Sequence, residues 1–346
     1  MFDPRRLIPL VAALAAAPAA CSHAASAQQS RASRAAPSAA APPAKPKPVP
    51  ITAANVAKVE RLWRVAGGSW GHAVAASHSL GRAALSASSE AQMVELSTGK
   101  SVGKVTEGCG RVLRHGMGFG GGNLVLACED RLDVIDATTL AKVKTIRIEP
   151  SKVKAVSVAW PRVALAHEDN VLRIYSLDGG AERQIPIPGP PVEVTSLALS
   201  RDGERLAVGW TQGSVWWWET QKPDNPHKVA KGNSHVSAVS WNRDGTMLAE
   251  ESPSFSVAAW RVGPPQVSLA TFKVGSWTNG TVFTSDDKWL FYGGSDGLSV
   301  GEVGGAGVRQ IAGRDDSVED LATDEDGVFL LATDRSGNLD AYGVMQ

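Results

Sequence analysis

The chain has 346 residues, 43 % of them hydrophobic, which is material enough for one large core or two ordinary ones. Its 35 basic and 35 acidic residues balance overall, but residues 1–50 hold six Lys/Arg and one Asp, leaving 29 basic and 34 acidic residues beyond position 50. That mildly acidic body lacks the basic footprint of a nucleic-acid binder, so this partner class is excluded. Gly 35, Pro 20 and Trp 11 suit a protein of turns and short strands rather than of helices.

The first residues read as an export signal spanning 1–27. Arg5 and Arg6 form a positive start, and residues 7–17 (LIPLVAALAAA) form an apolar run too short to span a bilayer permanently. Two processing routes stay open. Ala25-Ser26-Ala27 fits the small-x-small pattern of ordinary signal removal. Pro18-Ala19-Ala20-Cys21 resembles a bacterial lipobox, which implies lipidation of Cys21 and membrane attachment, although Pro18 stands where that motif usually carries Leu. Either route predicts an exported protein, periplasmic or membrane-anchored. Residues 28–54 are rich in Ala, Ser and Pro and include APPAKPKPVP at 41–50, a composition that cannot bury a core and favours an extended spacer.

From about position 55 the chain repeats. Second strands of successive units start at Ala83, Leu124, Val163, Leu206, Leu248, Leu290 and Leu330, spaced 41, 39, 43, 42, 42 and 40 residues apart. The unit at 194–219 (VTSLALSRDGERLAVGWTQGSVWWWE) is the clearest: three alternating strands joined by turns at Asp202-Gly203 and Gln212-Gly213. First strands begin twelve residues before the marker at Val112, Val194, Val236 and Val318. With an outer strand between units, four antiparallel strands repeated seven times predict an all-β, seven-bladed β-propeller over residues 55–346.

On period and turn placement the chain resembles the WD40-repeat family. Trp218-Glu219 and Trp260-Arg261 stand near the family's Trp-Asp dipeptide, and Asp130, Asp169 and Asp296 match its turn aspartate, whereas Gln212, Ser254 and Ser336 depart from it. The resemblance implies a non-catalytic scaffold with protein partners. The last unit holds only three strands before Gln346, so residues 58–65 (KVERLWRV) are expected to supply its outer strand and close a monomeric ring.

Cys109 and Cys128 flank the Gly118–Gly122 turn almost symmetrically, which predicts a disulfide across a hairpin; two separate small core residues are the alternative. The His residues show no recurring spacing, and no zinc, calcium or phosphate-loop pattern occurs, so neither metal nor cofactor is expected. His115 falls on an inner strand, either facing the channel or serving as a satisfied structural His. A hydrolase or lactonase site assembled from several loops at the channel mouth is the competing function.

Loops entering the inner strands should converge on one mouth of the channel. They carry Trp70, Arg111, Lys152, His235, Trp277 and Asp316, a set with the aromatic and Arg anchors of a binding surface. Trp210 and Phe255 are further candidates on that face. Alternation places Trp216 and Trp218 on one side of their strand and Trp217 on the other, so this run is expected to pack between blades.

Overall fold

A computed structural model describes residues 46–346 apart from the short segments 68–70, 88–89, 106–108, 149–151, 181, 188–192, 232–234, 253–254, 264 and 276. The export signal, Cys21 and Trp70 lie outside the described residues.

The strands assemble into seven antiparallel sheets, each a meander in chain order, at 71–105, 112–147, 153–186, 194–231, 238–273, 278–312 and 320–345. We number these blades one to seven. The first strand of each lines a central channel and the fourth lies at the rim. Apolar clusters fill every junction between successive blades, including blade seven against blade one. The core is therefore a ring of interfaces rather than one centre. Second strands carry most of it, with Leu206, Ala207 and Val208 fully buried.

The Trp run is built as alternation requires. Trp216 and Trp218 pack in the junction of blades three and four, while Trp217 packs in that of four and five. Trp217 stacks on His227 at 4.3 Å and meets Trp241 edge-on at 6.0 Å between ring centroids. Trp210, expected on an exposed rim, is 3 % exposed and belongs to the junction of blades three and four. Its place at the end of a second strand turns it inward rather than out.

Closure follows the expected route. Strand Glu60–Val65 pairs antiparallel with Leu339–Met345, with Glu60 opposite Gly343 and Val65 opposite Leu339. Arg64 adds a two-pronged bond to the buried Asp340 carboxylate, Nε to Oδ1 at 2.6 Å and Nη2 to Oδ2 at 2.5 Å. The folded unit begins earlier than composition suggests. Pro48 and Val49 already pair with the end of the same strand, and residues 50–59 then run as a strap over blades six and seven. Ile51, Val56 and Val59 are almost fully buried in that junction. The Ile51 amide donates to the Gly327 carbonyl, its own carbonyl accepts from Ser285, and the Ala53 amide donates to Asp286. Three well-spaced apolar side chains anchor a stretch that its prolines had marked as a spacer.

The disulfide is present, Cys109 to Cys128 with Cα atoms 5.6 Å apart. It joins the start of blade two's inner strand to the end of its neighbour.

Candidate functional site

Strand direction gives the ring two different ends. Inner strands enter at one face, together with the turns between second and third strands; they leave at the other through the turns that lead into second strands.

At the entrance end the inner strand of blade two departs from its siblings. The first strands of blades three, four and six each carry a one-residue irregularity here, as between Val194 and Ser196. In blade two, Val112 pairs with Cys128 and the next pair is Met117 with Leu126, so 113–116 stand opposite Ala127 alone. This is an enlarged bulge, and such insertions re-aim side chains. His115 takes φ +58°, and a side chain on Gly116 would sit 2.7 Å from the Leu113 carbonyl oxygen, so the bulge needs glycine there.

The bulge throws two side chains across the channel. His115 Nδ1 lies 2.7 Å from Asp320 Oδ1 of blade seven, while Asp320 Oδ2 accepts from the Val74 amide of blade one at 3.0 Å. Arg114 donates to the carbonyls of Asn279 in blade six and Glu319 in blade seven, at 3.4 and 3.1 Å. Three side chains, two carbonyls and one amide from four blades thus meet over the channel. His115 both faces the channel and is satisfied structurally.

Beside this bridge lies Glu251, on the second strand of blade five and 0 % exposed. Sister blades have Gly209, Gly293 or Ala127 at its position. Burial pushes its carboxyl up to about 8; the hydroxyls of Thr278 and Ser237, the Gly280 amide and the charge of Arg114 offset only part of that. Among the described residues these donors stop short of full hydrogen-bonding geometry at either oxygen. Glu250, pointing the other way and 9 % exposed, is raised to about 7 by burial and accepts one bond from Trp260 Nε1 at 3.2 Å. The strand LAEES shows this anomaly in the sequence, as two carboxylates where sister strands carry apolar or small residues.

On the entrance rim the expected binding residues are partly gathered. His235 and Trp277, from the entry loops of blades five and six, bring their rings to 5.3 Å between centroids. Trp277 is 50 % exposed. Phe255, 45 % exposed, joins the same sector, since its carbonyl accepts from the Val274 amide on the way to Trp277. Arg111 and Lys152 are exposed on blades two and three; Lys152 lies 3.6 Å from Glu168, beside a Lys154 that bridges Glu168 and Glu193 at 3.2 and 3.0 Å. Asp316 sits in the single turn Arg314–Asp316 entering blade seven. The set thus divides into an aromatic pair at the entries of blades five and six, basic residues at those of blades two and three, and Asp316 apart at the entry of blade seven. Among the described residues no group of three or more His, Cys, Asp or Glu is placed to hold a metal ion.

The turn end holds a cavity of about 640 Å³, lined by all seven blades. A second of about 270 Å³ lies deeper and reaches His115 and Asp320; Leu199, Trp241, Val282 and Thr323 line both. Nothing in the repeat pattern signalled this cup.

A four-stranded meander repeated seven times around a channel defines a β-propeller. The family described as "Anaphase-promoting complex subunit 4 WD40 domain" matches residues 162–244. Over 141 residues the chain is 27 % identical to the 66 kDa stress protein of Physarum polycephalum, covering 40 % of this chain and 23 % of that protein. It is 28 % identical over 109 residues to actin-interacting protein 1 of Caenorhabditis elegans, covering 30 % and 17 %. The chain thus spans under a quarter of either relative's length. Among solved structures, the Cps50 (Swd1) β-propeller domain of Myceliophteria thermophila superposes with a TM-score of 0.69 at 13 % identity, covering 83 % of this chain and 99 % of that one. The chain is a β-propeller, and within it residues 162–244 match a WD40-repeat family.

Proposed function

We propose that this propeller is a non-catalytic protein-interaction scaffold of the bacterial cell envelope, contacting its partner through the aromatic sector of the entrance face. WD40 propellers serve typically as such platforms and commonly bind proteins. The observation that carries the reading is Trp277, half exposed yet oriented by His235, with Phe255 exposed beside it. A large aromatic held in place but left in water is the usual anchor of an interface, because docking it costs little ordering entropy. The relative named for interacting with actin is consistent with a protein partner.

The export signal at 1–27 carries the envelope assignment, and a lipid on Cys21 would tether the ring through residues 22–45. Labelling with a fatty-acid analogue should mark the wild-type chain and spare Cys21→Ala. Labelling of neither leaves the soluble periplasmic form, and a chain retained in the cytoplasm with an uncut signal removes the assignment. For the surface, affinity capture from envelope extracts should recover a partner with wild type and lose it with Trp277→Ala/His235→Ala. Equal recovery by both would remove this surface.

A further inference from the structure

The turn-side cup is a built site of a second kind, independent of the entrance-face reading. Its size falls in the usual range for small-ligand pockets. It has one open end, because Arg114 and His115 cross the channel at the other. Its walls are aromatic. Trp160 covers the Gly120-Gly121 turn so closely that a Cβ on Gly120 would come within 2.2 Å of it, which explains the glycine run. Phe119 and Trp241 stand in the same wall, all three half-buried.

Charge at the mouth is what selects a ligand. The acids there are already saturated. Glu325 accepts from the Ser77 and Ser79 hydroxyls and the His78 amide, and Asp324 accepts from the Val328 amide at 2.8 Å and lies 3.2 Å from His78 Nδ1. The arginines are not. Among the described residues, Arg201 gives one N–H to the Glu325 carbonyl at 2.9 Å, and Arg243 has only a 3.9 Å approach to Asp326 and stays half exposed. A guanidinium carries five donors, and two with most of theirs unspent at one rim fit a carboxylate.

From this we infer that the cup takes an apolar or aromatic group bearing one carboxylate, the ring inside against Trp160 and Phe119 and the carboxylate at the mouth on Arg201 and Arg243. A free aromatic acid and the C-terminal residue of a peptide share that chemistry. Calorimetry on the folded chain would use 3-(indol-3-yl)propanoate, N-acetyl-Gly-Gly-Phe, and the primary amide of each. At least one acid is expected to bind with a Kd below about 1 mM and its amide roughly tenfold more weakly. The acid that binds more tightly identifies the source. Arg201→Gln/Arg243→Gln should weaken the acid by about tenfold or more while leaving the melting temperature within about 2 °C. No binding by either acid, equal binding of acid and amide, or an unaffected double variant would each overturn the inference. A variant that melts early is replaced by Arg243→Gln alone, which lacks the cross-channel bond and must still weaken the acid.

Discussion

The two ends of the channel are made of the same seven strands and are finished in opposite ways. At the entrance end the ring is tied from inside, by a bulge of blade two whose Arg114 and His115 reach blades six and seven. At the turn end it is clamped from outside, by a strap that seats Ile51 and Val56 between blades six and seven, and the mouth, spanned at its rim by the Arg201 bond to the Glu325 carbonyl, keeps the cavity beneath it. The difference teaches where a propeller can afford a cavity. An internal tie removes the channel as a binding volume and leaves the rim for contact, whereas an external clamp keeps the volume available.

The external clamp should be the larger contributor to stability. Removing residues 46–65 strips blade seven of its outer strand, exposes a paired edge and opens the buried junction of blades six and seven. That variant is expected to lose its cooperative thermal transition; a melting temperature near that of wild type would mean that the ring closes by other contacts. The internal tie ranks next. Asp320→Ala leaves His115 and the Val74 amide without their shared acceptor in a buried place and should cost about 3 kcal/mol or more in denaturant unfolding. A loss under about 1 kcal/mol would show the cross-channel bridge to be incidental.

The bulge itself is held by the Cys109–Cys128 bond, which closes a loop of 19 residues around it. Cys109→Ser/Cys128→Ser should lower stability by about 3 kcal/mol, and non-reducing mass analysis of the wild type should show both thiols oxidised. Equal stability of the double variant would place the bulge's support in packing alone.

A pH-dependent effect comes from Glu251. Its carboxyl is raised to about 8 in the folded ring and keeps an ordinary value when unfolded. Below the ordinary carboxylate range both states hold the proton and the group is neutral in its effect. As pH rises from about 4.5 to about 8 the unfolded chain alone releases it, so stability falls across that window. Glu250, raised to about 7, acts in the same direction. Asp133, Asp169, Asp202 and Asp244 are lowered instead, and their contribution disappears on acidification below their ordinary values. Melting temperature should therefore peak in the weakly acidic range, and Glu251→Gln should flatten the decline toward pH 8 while changing little at pH 5. An unchanged slope would place the alkaline loss elsewhere.

How much of this was legible in sequence depends on what periodicity can record. Blade number, closure by 58–65 and the packing of Trp216, Trp217 and Trp218 follow from spacing and alternation, which report the faces of strands directly. The enlarged bulge was hidden because Val112 to Leu124 spans the same twelve residues as Val194 to Leu206. Blade two lengthens its strand by two residues and shortens its turn by as many, since Phe119 pairs with Leu124 where blade four pairs Leu199 with Leu206. Similarly, the strap was masked by its prolines, and the cup is invisible locally because each blade gives it only a strand end. His235 and Trp277 were legible because both lie one to three residues before an inner strand; their ring contact was not.

The most direct test of the account is which end of the channel a protein partner touches. A photo-reactive amino acid placed at position 277 should cross-link to a discrete partner in the native cells, and one placed at position 202, on a turn at the opposite end, should not. Cross-linking from 202 alone, or from both positions to the same partner, would contradict the assignment of the entrance face as the contact surface.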